Sequence, residues 1–257
     1  MNYIFDLDGT ICFKGQPLTP SIVQALQELE RNGHTIIFAS ARPIRDLLPI
    51  IPQSMHHYPM IGGNGAFVVP GELQMETTFF ELAVADALLQ LIVKYDADYL
   101  IDSSWDYSYY AMKEYAIRNN LDPEQRAHNV PLDNLEGIVK VVILHSNNNT
   151  ALMEELLSLP IVITKHGNEE IIDISPQGID KWAGIQILGI QRFDYIAFGN
   201  DANDLSMFAN AKYSVCVGNH PQLAALANEV IESNGDVVAK KIVEASNTLH
   251  LAPTQLQ

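Results

Sequence analysis

Two aspartates near the N-terminus have the type and spacing needed to do chemistry together. Asp6 and Asp8 follow the apolar segment Tyr3–Phe5 with one residue between them, and Gly9 comes directly after. The apolar segment predicts a buried strand, and open parallel sheets bind ligands beyond the carboxyl ends of their strands. Because two carboxylates in one cavity are costly without a cation, the pair indicates a cation-binding site. The simpler alternative is an Asx turn that closes the strand.

A second acidic segment follows another apolar strand, Tyr195–Phe198, and contains two carboxylates and two amides: Asn200, Asp201, Asn203 and Asp204. If this loop meets the first pair, four carboxylates lie close together. A hard divalent cation held by oxygen ligands, most simply Mg²⁺, is then the natural counter-charge. A structural interpretation can hold at the same time, since Asp201 or Asn203 can cap the following helix.

A lysine and a serine complete the candidate site. Lys181 is predicted in the first turn of a helix, where its charge opposes the helix dipole and therefore favours a nearby anion. Ser40 follows the predicted strand Thr35–Ala39 and offers a hydroxyl beside backbone N–H groups, which suits a phosphoryl oxygen. Each residue also has an ordinary structural interpretation. Lys181 could form a surface ion pair with Asp180 or Glu170, and Ser40 could be a helix N-cap.

The elements that must position these residues alternate between short apolar strands and amphipathic helices at both ends of the chain. This alternation is typical of a parallel sheet with crossover helices. The predicted strands are Tyr3–Phe5, Thr35–Ala39, Met60–Ile61, Tyr195–Phe198 and Ser214–Val217. The predicted helices begin at Pro20 with Thr19 as N-cap, after Pro43, at Lys181, at about Asn203, and near Pro221 and Asp236.

The middle of the chain has a different pattern. Here a helix over Leu82–Lys94 and another from about Asn149 accompany strands at 98–102, 107–112, 139–144, 161–164 and 170–174. We therefore predict an α/β fold, with a Rossmann-like parallel-sheet core from residues 1–80 and 175–257 and an inserted α+β cap domain from residues 81–174. Gly71 and Gly178 lie near the two crossings, where hinge motion needs a permissive backbone.

Composition limits the classes of partner. The 257 residues carry a formal charge of -16, which repels nucleic-acid phosphates and anionic membranes. Apolar runs fall far short of the ~18 residues of a membrane helix, and the N-terminus has no signal-peptide pattern, so we expect a cytoplasmic protein. Cys12 and Cys216 lack metal-ligand spacing and are predicted to be buried thiols.

These segments together resemble the haloacid dehalogenase superfamily of phosphohydrolases, in its Cof-type branch with a large α+β cap. The first, second and fourth family motifs are similar to FDLDGT at Phe5–Thr10, ASAR at Ala39–Arg42 and GNDANDLSMF at Gly199–Phe208. SPQGIDK at Ser175–Lys181 is similar to the Cof-type lysine segment, and IGGNGA at Ile61–Ala66 to the segment that precedes the cap. The resemblance covers nearly the whole chain.

The resemblance implies a Mg²⁺-dependent phosphomonoester phosphatase that acts on small phosphorylated metabolites through an aspartyl-phosphate. Asp6 would be the nucleophile and Asp8 the general acid/base, while Ser40 and Lys181 would orient and neutralise the phosphoryl group. The implied metal ligands come from Asp6, Asp8, Asn200, Asp201 and Asp204. The implied substrate-binding residues are Ala41, Arg42, Asn64 and Asn203.

One departure from the family pattern affects the metal site. The usual fourth motif reads Gly-Asp-x-x-Asn-Asp, and here Asn200 stands where the first Asp is expected, with Asp201 one place later. Either Asn200 binds the metal through its amide oxygen or the loop shifts so that Asp201 does. Ala41 replaces the commoner glycine of the second motif. His166, near the junction of cap and core, is a further candidate for substrate contact.

Two other functions remain as alternatives at this point. A phosphotransferase or mutase would use the same intermediate, but the large cap and the absence of an evident second phosphate clamp favour hydrolysis. A metabolite-binding module with residual chemistry is kept open by Asn200, whereas the intact pair of Asp6 and Asp8 argues against it.

Overall fold

The computed structural model describes residues 1–71, 74–165 and 171–248. Its strands, numbered along the chain, are β1 (Asn2–Asp6), β2 (Thr35–Ala39), β3 (Met60–Gly62), β4 (Phe67–Val69), β5 (Glu76–Thr77), β6 (Asp98–Asp102), β7 (Tyr107–Tyr110), β8 (Lys140–His145), β9 (Ile161–Lys165), β10 (Ile172–Pro176), β11 (Tyr195–Gly199), β12 (Tyr213–Val217) and β13 (Glu229–Ile231). His166 and Glu170 lie outside the described residues.

The helices are α1 (Pro20–Arg31), α2 (Ile44–Leu47), α3 (Leu82–Lys94), α4 (Asn149–Leu156), α5 (Lys181–Ile187), α6 (Leu205–Ala209), α7 (Pro221–Leu226) and α8 (Gly235–Thr248). Thr19 caps α1 as predicted, since its hydroxyl accepts a hydrogen bond from the backbone N–H of Ile22 at 3.4 Å. The helix expected from Asn203 begins as a 3-10 turn over Ala202–Asp204 and becomes α-helical at Leu205.

The larger sheet has eight strands in the order β13-β12-β11-β1-β2-β3-β4-β5. The six strands from β13 to β3 are parallel, as predicted, whereas β4 and β5 extend the sheet antiparallel at one edge. Strands β4, β5 and β13 were not predicted. Strand β1 is central, with β2 and β11 on either side. The loops that follow these three strands therefore meet at one edge of the sheet.

The smaller sheet is antiparallel, with the order β7-β6-β8-β10-β9. Helices α3 and α4 cover one face of it, where Leu88 and Leu152 pack in a core with Ile101 and Val141. The other face lies toward the eight-stranded sheet. This arrangement confirms the predicted Rossmann-like core with an α+β cap, and we use "cap" below for α3, α4 and β6–β10.

The chain enters the cap after β5 and leaves it through β10, which ends at Pro176 shortly before α5 begins at Lys181. Gly71 and Gly178 adopt φ angles of 69° and 75°, and hinge motion at these glycines stays a prediction. Cys12 and Cys216 are buried free thiols, as expected. In the part of the chain that the structure describes, no helix is both long enough and apolar enough to cross a bilayer. The cytoplasmic location stays a prediction.

Candidate active site

The loop after β1 folds back tightly and touches the loop after β11. The backbone N–H groups of Thr10 and Cys12 both donate to the carbonyl of Leu7, at 3.0 and 2.8 Å. Gly9 has a φ angle of 85°, and a Cβ there would lie 2.2 Å from Nδ2 of Asn200. Glycine is therefore required at this position, because both the backbone conformation and the close approach exclude a side chain.

Asp6 ends β1 in a buried chain of charges. Nζ of Lys181 lies 2.6 Å from Oδ1 of Asp6 and 2.6 Å from Oδ1 of Asp204. The hydroxyl of Thr10 donates to Oδ2 of Asp6 at 2.7 Å. Burial raises the pKa of Asp6 to about 7, with Lys181 opposing the rise and Asp204 adding to it. Burial lowers the pKa of Lys181, but the two carboxylates raise it by more, so the lysine is a cation.

Asp204 holds the loop after β11 in place. Its Oδ2 accepts hydrogen bonds from the backbone N–H groups of Asn200 and Asp201, at 2.8 and 3.1 Å, while its Oδ1 accepts from Lys181. A Cβ at Gly199 would lie 2.6 Å from the Asp204 carboxyl group, so the fit requires glycine. Asp201 forms a reciprocal capping box with Asp204, which confirms the predicted cap. The contacts of Asp204 are those of a residue that positions the loop and the lysine.

Arg42 binds the carboxylate of Asp8. Its Nε donates to Oδ2 of Asp8 at 2.6 Å and its Nη2 to Oδ1 at 2.5 Å, a bidentate pair. Ser40, at the end of β2, is 1% exposed, and its Oγ accepts from the backbone N–H of Arg42 at 3.1 Å. That contact uses the hydroxyl oxygen as an acceptor, and the hydroxyl proton can be donated into the cavity beside it.

The loops after β1, β2 and β11 enclose a cavity of about 180 Å³, which we call the small cavity. Its lining is made of seven predicted site residues: Asp6, Asp8, Ser40, Ala41, Asn200, Asp201 and Asn203. Lys181 is not part of this lining but contacts Asp6, which is. Asn64 is not part of the lining, although its Oδ1 accepts from Nδ2 of Asn203 at 3.1 Å. The residues that the sequence brought together as a site therefore do meet in one place.

A second, larger cavity of about 350 Å³ lies between the cap and the core, and it shares Asp8 and Ala41 with the small cavity. Eight of its fifteen lining residues are apolar. Lys140 of the cap donates to the backbone carbonyl of Ala41 at 2.6 Å and pairs with Asp173 at 2.8 Å. We call this the large cavity, and its position next to Asp8 suits the part of a ligand that extends beyond a phosphoryl group.

Several residues of the site were missed by sequence reasoning: Thr10, Arg45, Asp102, Lys140 and Asp173. Arg45 of α2 is buried, with Nη2 at 2.9 Å from Oδ1 of Asp102 and Nε at 2.8 Å from Oδ1 of Asp46. Lys140 had a readable signal, because it interrupts an apolar run that predicts a buried strand. Asp102 also ends an apolar strand, and such a charge inside or next to a buried strand indicates a partner.

The charges around the small cavity favour a divalent cation. Four carboxylates face two cations here: Asp6, Asp8, Asp201, Asp204, Lys181 and Arg42. The cluster keeps two negative charges, and a phosphate dianion would add to them. Within the described ranges no three acidic, histidine or cysteine side chains are grouped closely enough to hold an ion alone. This fits Mg²⁺, which keeps several waters and is held by one or two carboxylates and the substrate phosphate.

Comparison with known proteins agrees with this geometry. A profile of haloacid dehalogenase-like hydrolases matches residues 3–242. The chain belongs to this hydrolase family. The hydrolase is 26% identical over 246 residues to the HMP-PP phosphatase of Serratia proteamaculans, covering 86% of this chain and 85% of the relative. It is 25% identical over 256 residues to the 5-amino-6-(5-phospho-D-ribitylamino)uracil phosphatase of Bacillus subtilis, covering 93% and 95%.

Solved structures share the fold of the hydrolase. SMU.1108c from Streptococcus mutans superposes with a TM-score of 0.78 at 23% identity, covering 95% of this chain and 97% of that one. The HAD subclass IIB sugar phosphatase BT4131 gives a TM-score of 0.77 at 18% identity, covering 95% and 98%. The family resemblance and the fold class predicted from the sequence are both confirmed. Membership of the haloacid dehalogenase-like hydrolases is therefore shown for residues 3–242, and both of the named relatives are phosphatases.

Proposed function

We propose that the hydrolase is a Mg²⁺-dependent phosphatase that releases phosphate from small phosphorylated metabolites through an aspartyl-phosphate on Asp6. The observation that carries this proposal is the position of the Asp6 carboxylate and its hydrogen bonds. This carboxylate lines the small cavity, and its two oxygens accept from Lys181 and Thr10. A carboxylate fixed in this way beside a second aspartate suits nucleophilic attack on phosphorus.

The small cavity takes the phosphoryl group in this proposal. Ser40 donates its hydroxyl proton to one phosphoryl oxygen, and the ammonium of Lys181 offsets negative charge beside the nucleophile. Ala41 and Asn203 line the same cavity and contact the phosphoryl group or its ester oxygen. Asn64 supports Asn203 through their 3.1 Å hydrogen bond. Residues 81–174 act as the unit that closes the large cavity and selects the leaving group.

The reaction has two steps. In the first, a carboxylate oxygen of Asp6 attacks phosphorus, the bond to the leaving oxygen breaks, and Asp8 gives that oxygen its proton. In the second, Asp8 takes a proton from a water whose oxygen attacks phosphorus, the bond between phosphorus and the Asp6 oxygen breaks, and inorganic phosphate leaves the regenerated Asp6 carboxylate. Two successive displacements through a covalent intermediate suit this reaction, since water alone attacks phosphate monoesters extremely slowly.

Oxygen atoms that line the small cavity would hold the metal, from Asp6, Asp8 and Asn200, with Asp201 holding a metal-bound water. When bound, Mg²⁺ neutralises charge on the phosphoryl oxygens. Asp204 acts through the loop, because its carboxylate is already bonded to Lys181 and to the backbone of Asn200 and Asp201.

The names of similar proteins support a small metabolite as substrate. They include the 5-amino-6-(5-phospho-D-ribitylamino)uracil phosphatase of Bacillus subtilis. The volume of the large cavity, about 350 Å³, is at the lower end of ligand pockets. A nucleic acid or a membrane lipid surface is not the partner in this proposal, given the charge of -16.

Phosphate release from a panel of phosphorylated metabolites tests the proposal. Wild-type protein is expected to need Mg²⁺ and to be inhibited by Ca²⁺, whose higher coordination number misplaces the nucleophile. Asp6→Asn is expected to lose several orders of magnitude in kcat, because covalent catalysis is removed. Turnover of Asp6→Asn within tenfold of wild type would rule out the nucleophile, and full activity after exhaustive chelation would rule out the metal. Phosphate that fails to accumulate in proportion to substrate consumed would instead indicate a phosphotransferase or mutase.

A further inference from the structure

The cap presents a mixed surface to the large cavity. Successive residues of a strand point to opposite faces, so Leu100 and Asp102 of β6 share a face, as do Lys140 and Val142 of β8. Strand register places Leu100 opposite Val142 and Asp102 opposite Lys140. All four line the large cavity. Asp173 of β10 also lines it and lies opposite Val142. A ligand there meets Leu100 and Val142 at the centre of the cap sheet, with Asp173 beside Val142. At the next residue pair on the same face, toward α2, it meets Asp102 and Lys140.

Asp102 offers a ligand a hydrogen-bond acceptor. It is 1% exposed, and its Oδ1 accepts from Nη2 of Arg45 at 2.9 Å. Its Oδ2 is buried and has no hydrogen-bond partner in the part of the chain that the structure describes. Burial raises the pKa of Asp102, and the charges of Arg45 and Lys140 oppose the rise. A buried carboxylate oxygen of this kind gains from a donor, since leaving it unsatisfied costs free energy.

The charges beside the large cavity do not favour a second anion. Among the residues that the structure describes, three cations and four carboxylates line it or bond to its lining: Arg42, Arg45, Lys140, Asp8, Asp46, Asp102 and Asp173. Each cation is already paired with at least one of these carboxylates, and one negative charge remains. A carboxylate or a second phosphate on the leaving group would meet no unpaired cation among these described residues.

We propose that the large cavity selects phosphomonoesters with a small, uncharged or cationic leaving group, whose N–H or O–H donates to Oδ2 of Asp102. The apolar part of that leaving group packs on Leu100 and Val142. Leaving groups that carry a carboxylate or a second phosphate are rejected. This inference rests on the proposed function, and it adds the residue and the chemistry that choose among substrates.

Matched esters test this selection without any substitution in the protein. Benzyl phosphate, its 4-(aminomethyl) and 4-(hydroxymethyl) derivatives, and its 4-carboxy derivative share one ring and a benzylic leaving oxygen. We expect kcat/KM for the two donor-bearing esters to exceed that for benzyl phosphate by about tenfold, as for one hydrogen bond to a buried charged acceptor. We expect the carboxylate ester to fall below benzyl phosphate by at least as much.

A matched pair of variants assigns the selection to Asp102. Asp102→Asn replaces an acceptor oxygen with an amide and should bring the preference for the aminomethyl ester over benzyl phosphate close to one. Asp98→Asn is the control, because Asp98 lies on the same strand and is equally buried but bonds to Met112 and Tyr115, away from the large cavity. Its preference should match that of wild type. Thermal unfolding of both variants checks that the fold is kept.

The outcomes separate this inference from the proposed function. p-Nitrophenyl phosphate, which needs no donor, reports the chemistry alone. If it is hydrolysed while the carboxylate ester is used as well as the aminomethyl ester, the selection is wrong and the phosphatase stands. A preference that Asp102→Asn leaves unchanged would also overturn the role of Asp102. If no ester, p-nitrophenyl phosphate included, is hydrolysed with Mg²⁺, both the proposed function and the selection fail.

Discussion

Arg42 donates two hydrogen bonds to Asp8, from Nε to Oδ2 at 2.6 Å and from Nη2 to Oδ1 at 2.5 Å. The side chain of Asp8 is 45% exposed, whereas that of Arg42 is 13% exposed. An exposed carboxylate has many orientations open to it, so the planar guanidinium is what fixes this one. The sequence predicts Arg42 as a substrate-binding residue, and the structure adds that it positions the proposed acid/base.

Replacing Arg42 should separate proton transfer from phosphoryl transfer. We expect Arg42→Gln to lower kcat about tenfold or more for an alkyl phosphate, because Asp8 is no longer held ready to protonate the leaving oxygen. The loss should be much smaller for p-nitrophenyl phosphate, whose leaving group needs no proton. Steady-state kinetics on the two substrates measure the difference. An equal rise in KM for both, with kcat unchanged, would show instead that Arg42 binds the phosphoryl group.

Lys181 should matter for stability as well as for turnover. Lys181→Met leaves the carboxylates of Asp6 and Asp204 buried without their shared cation, and breaking a buried pair in this way costs about 3–5 kcal/mol. Urea unfolding in the absence of divalent ions measures the loss. The double variant Lys181→Met with Asp204→Asn removes one of the two stranded charges and should recover part of the stability but none of the activity. Wild-type stability of the single variant would contradict the buried ion cluster.

Asn200 and Asp201 should differ in their effect on Mg²⁺ binding. Asn200→Asp should keep or tighten Mg²⁺ binding because it adds charge at a position that lines the small cavity. Asp201→Ala should weaken binding about 10- to 100-fold, as for a residue that holds a metal-bound water. Isothermal titration with MgCl₂ measures both. A Mg²⁺-bound structure with the Asp201 carboxylate at about 2.1 Å from the ion, and Asn200 turned away, would reverse the assignment.

Gly65 should be required for the position of Lys181. A Cβ there would lie 2.1 Å from the backbone oxygen of Asp180, the residue that caps α5. Gly65→Ala should therefore displace the start of α5 and lower kcat at least tenfold, since small misplacements of catalytic groups are costly. Gly33→Ala is the matched control, because Gly33 also has a positive φ angle but nothing within 4 Å of its Cβ position. It should cost about 1–2 kcal/mol of stability without a change in kcat.

Much of the Rossmann-like core domain could be predicted from the local pattern of apolar and polar residues. The central strands β1, β2 and β11 are short apolar runs that end in polar residues, and a parallel sheet necessarily brings such ends together. Asp6, Ser40 and Asn200 could therefore be placed in one site from the sequence. The antiparallel strands β4 and β5 could not be predicted, since their pairing depends on a turn at Asn64 and on contact with β3.

The side-chain contacts between cap and core could not be predicted. Arg45 contacts Asp102 across 57 residues of sequence, and Lys140 contacts the backbone of Ala41 across 99. Such partners are set by how two separately built sheets dock, which no local spacing encodes. The contacts of Asp204 with Lys181 and the loop backbone could not be predicted either, and its part in metal binding stays a prediction.

The buried contacts of Arg45 define where this protein can be cut for domain exchange. Arg45 lies in α2 of the core, yet it bonds to Asp102 and to the backbone of Trp105, and its guanidinium packs 4.7 Å from the ring centre of Tyr107. A chimera that imports another relative's cap at the two chain crossings would bury this arginine without those partners. A working exchange must therefore transplant α2 together with the cap.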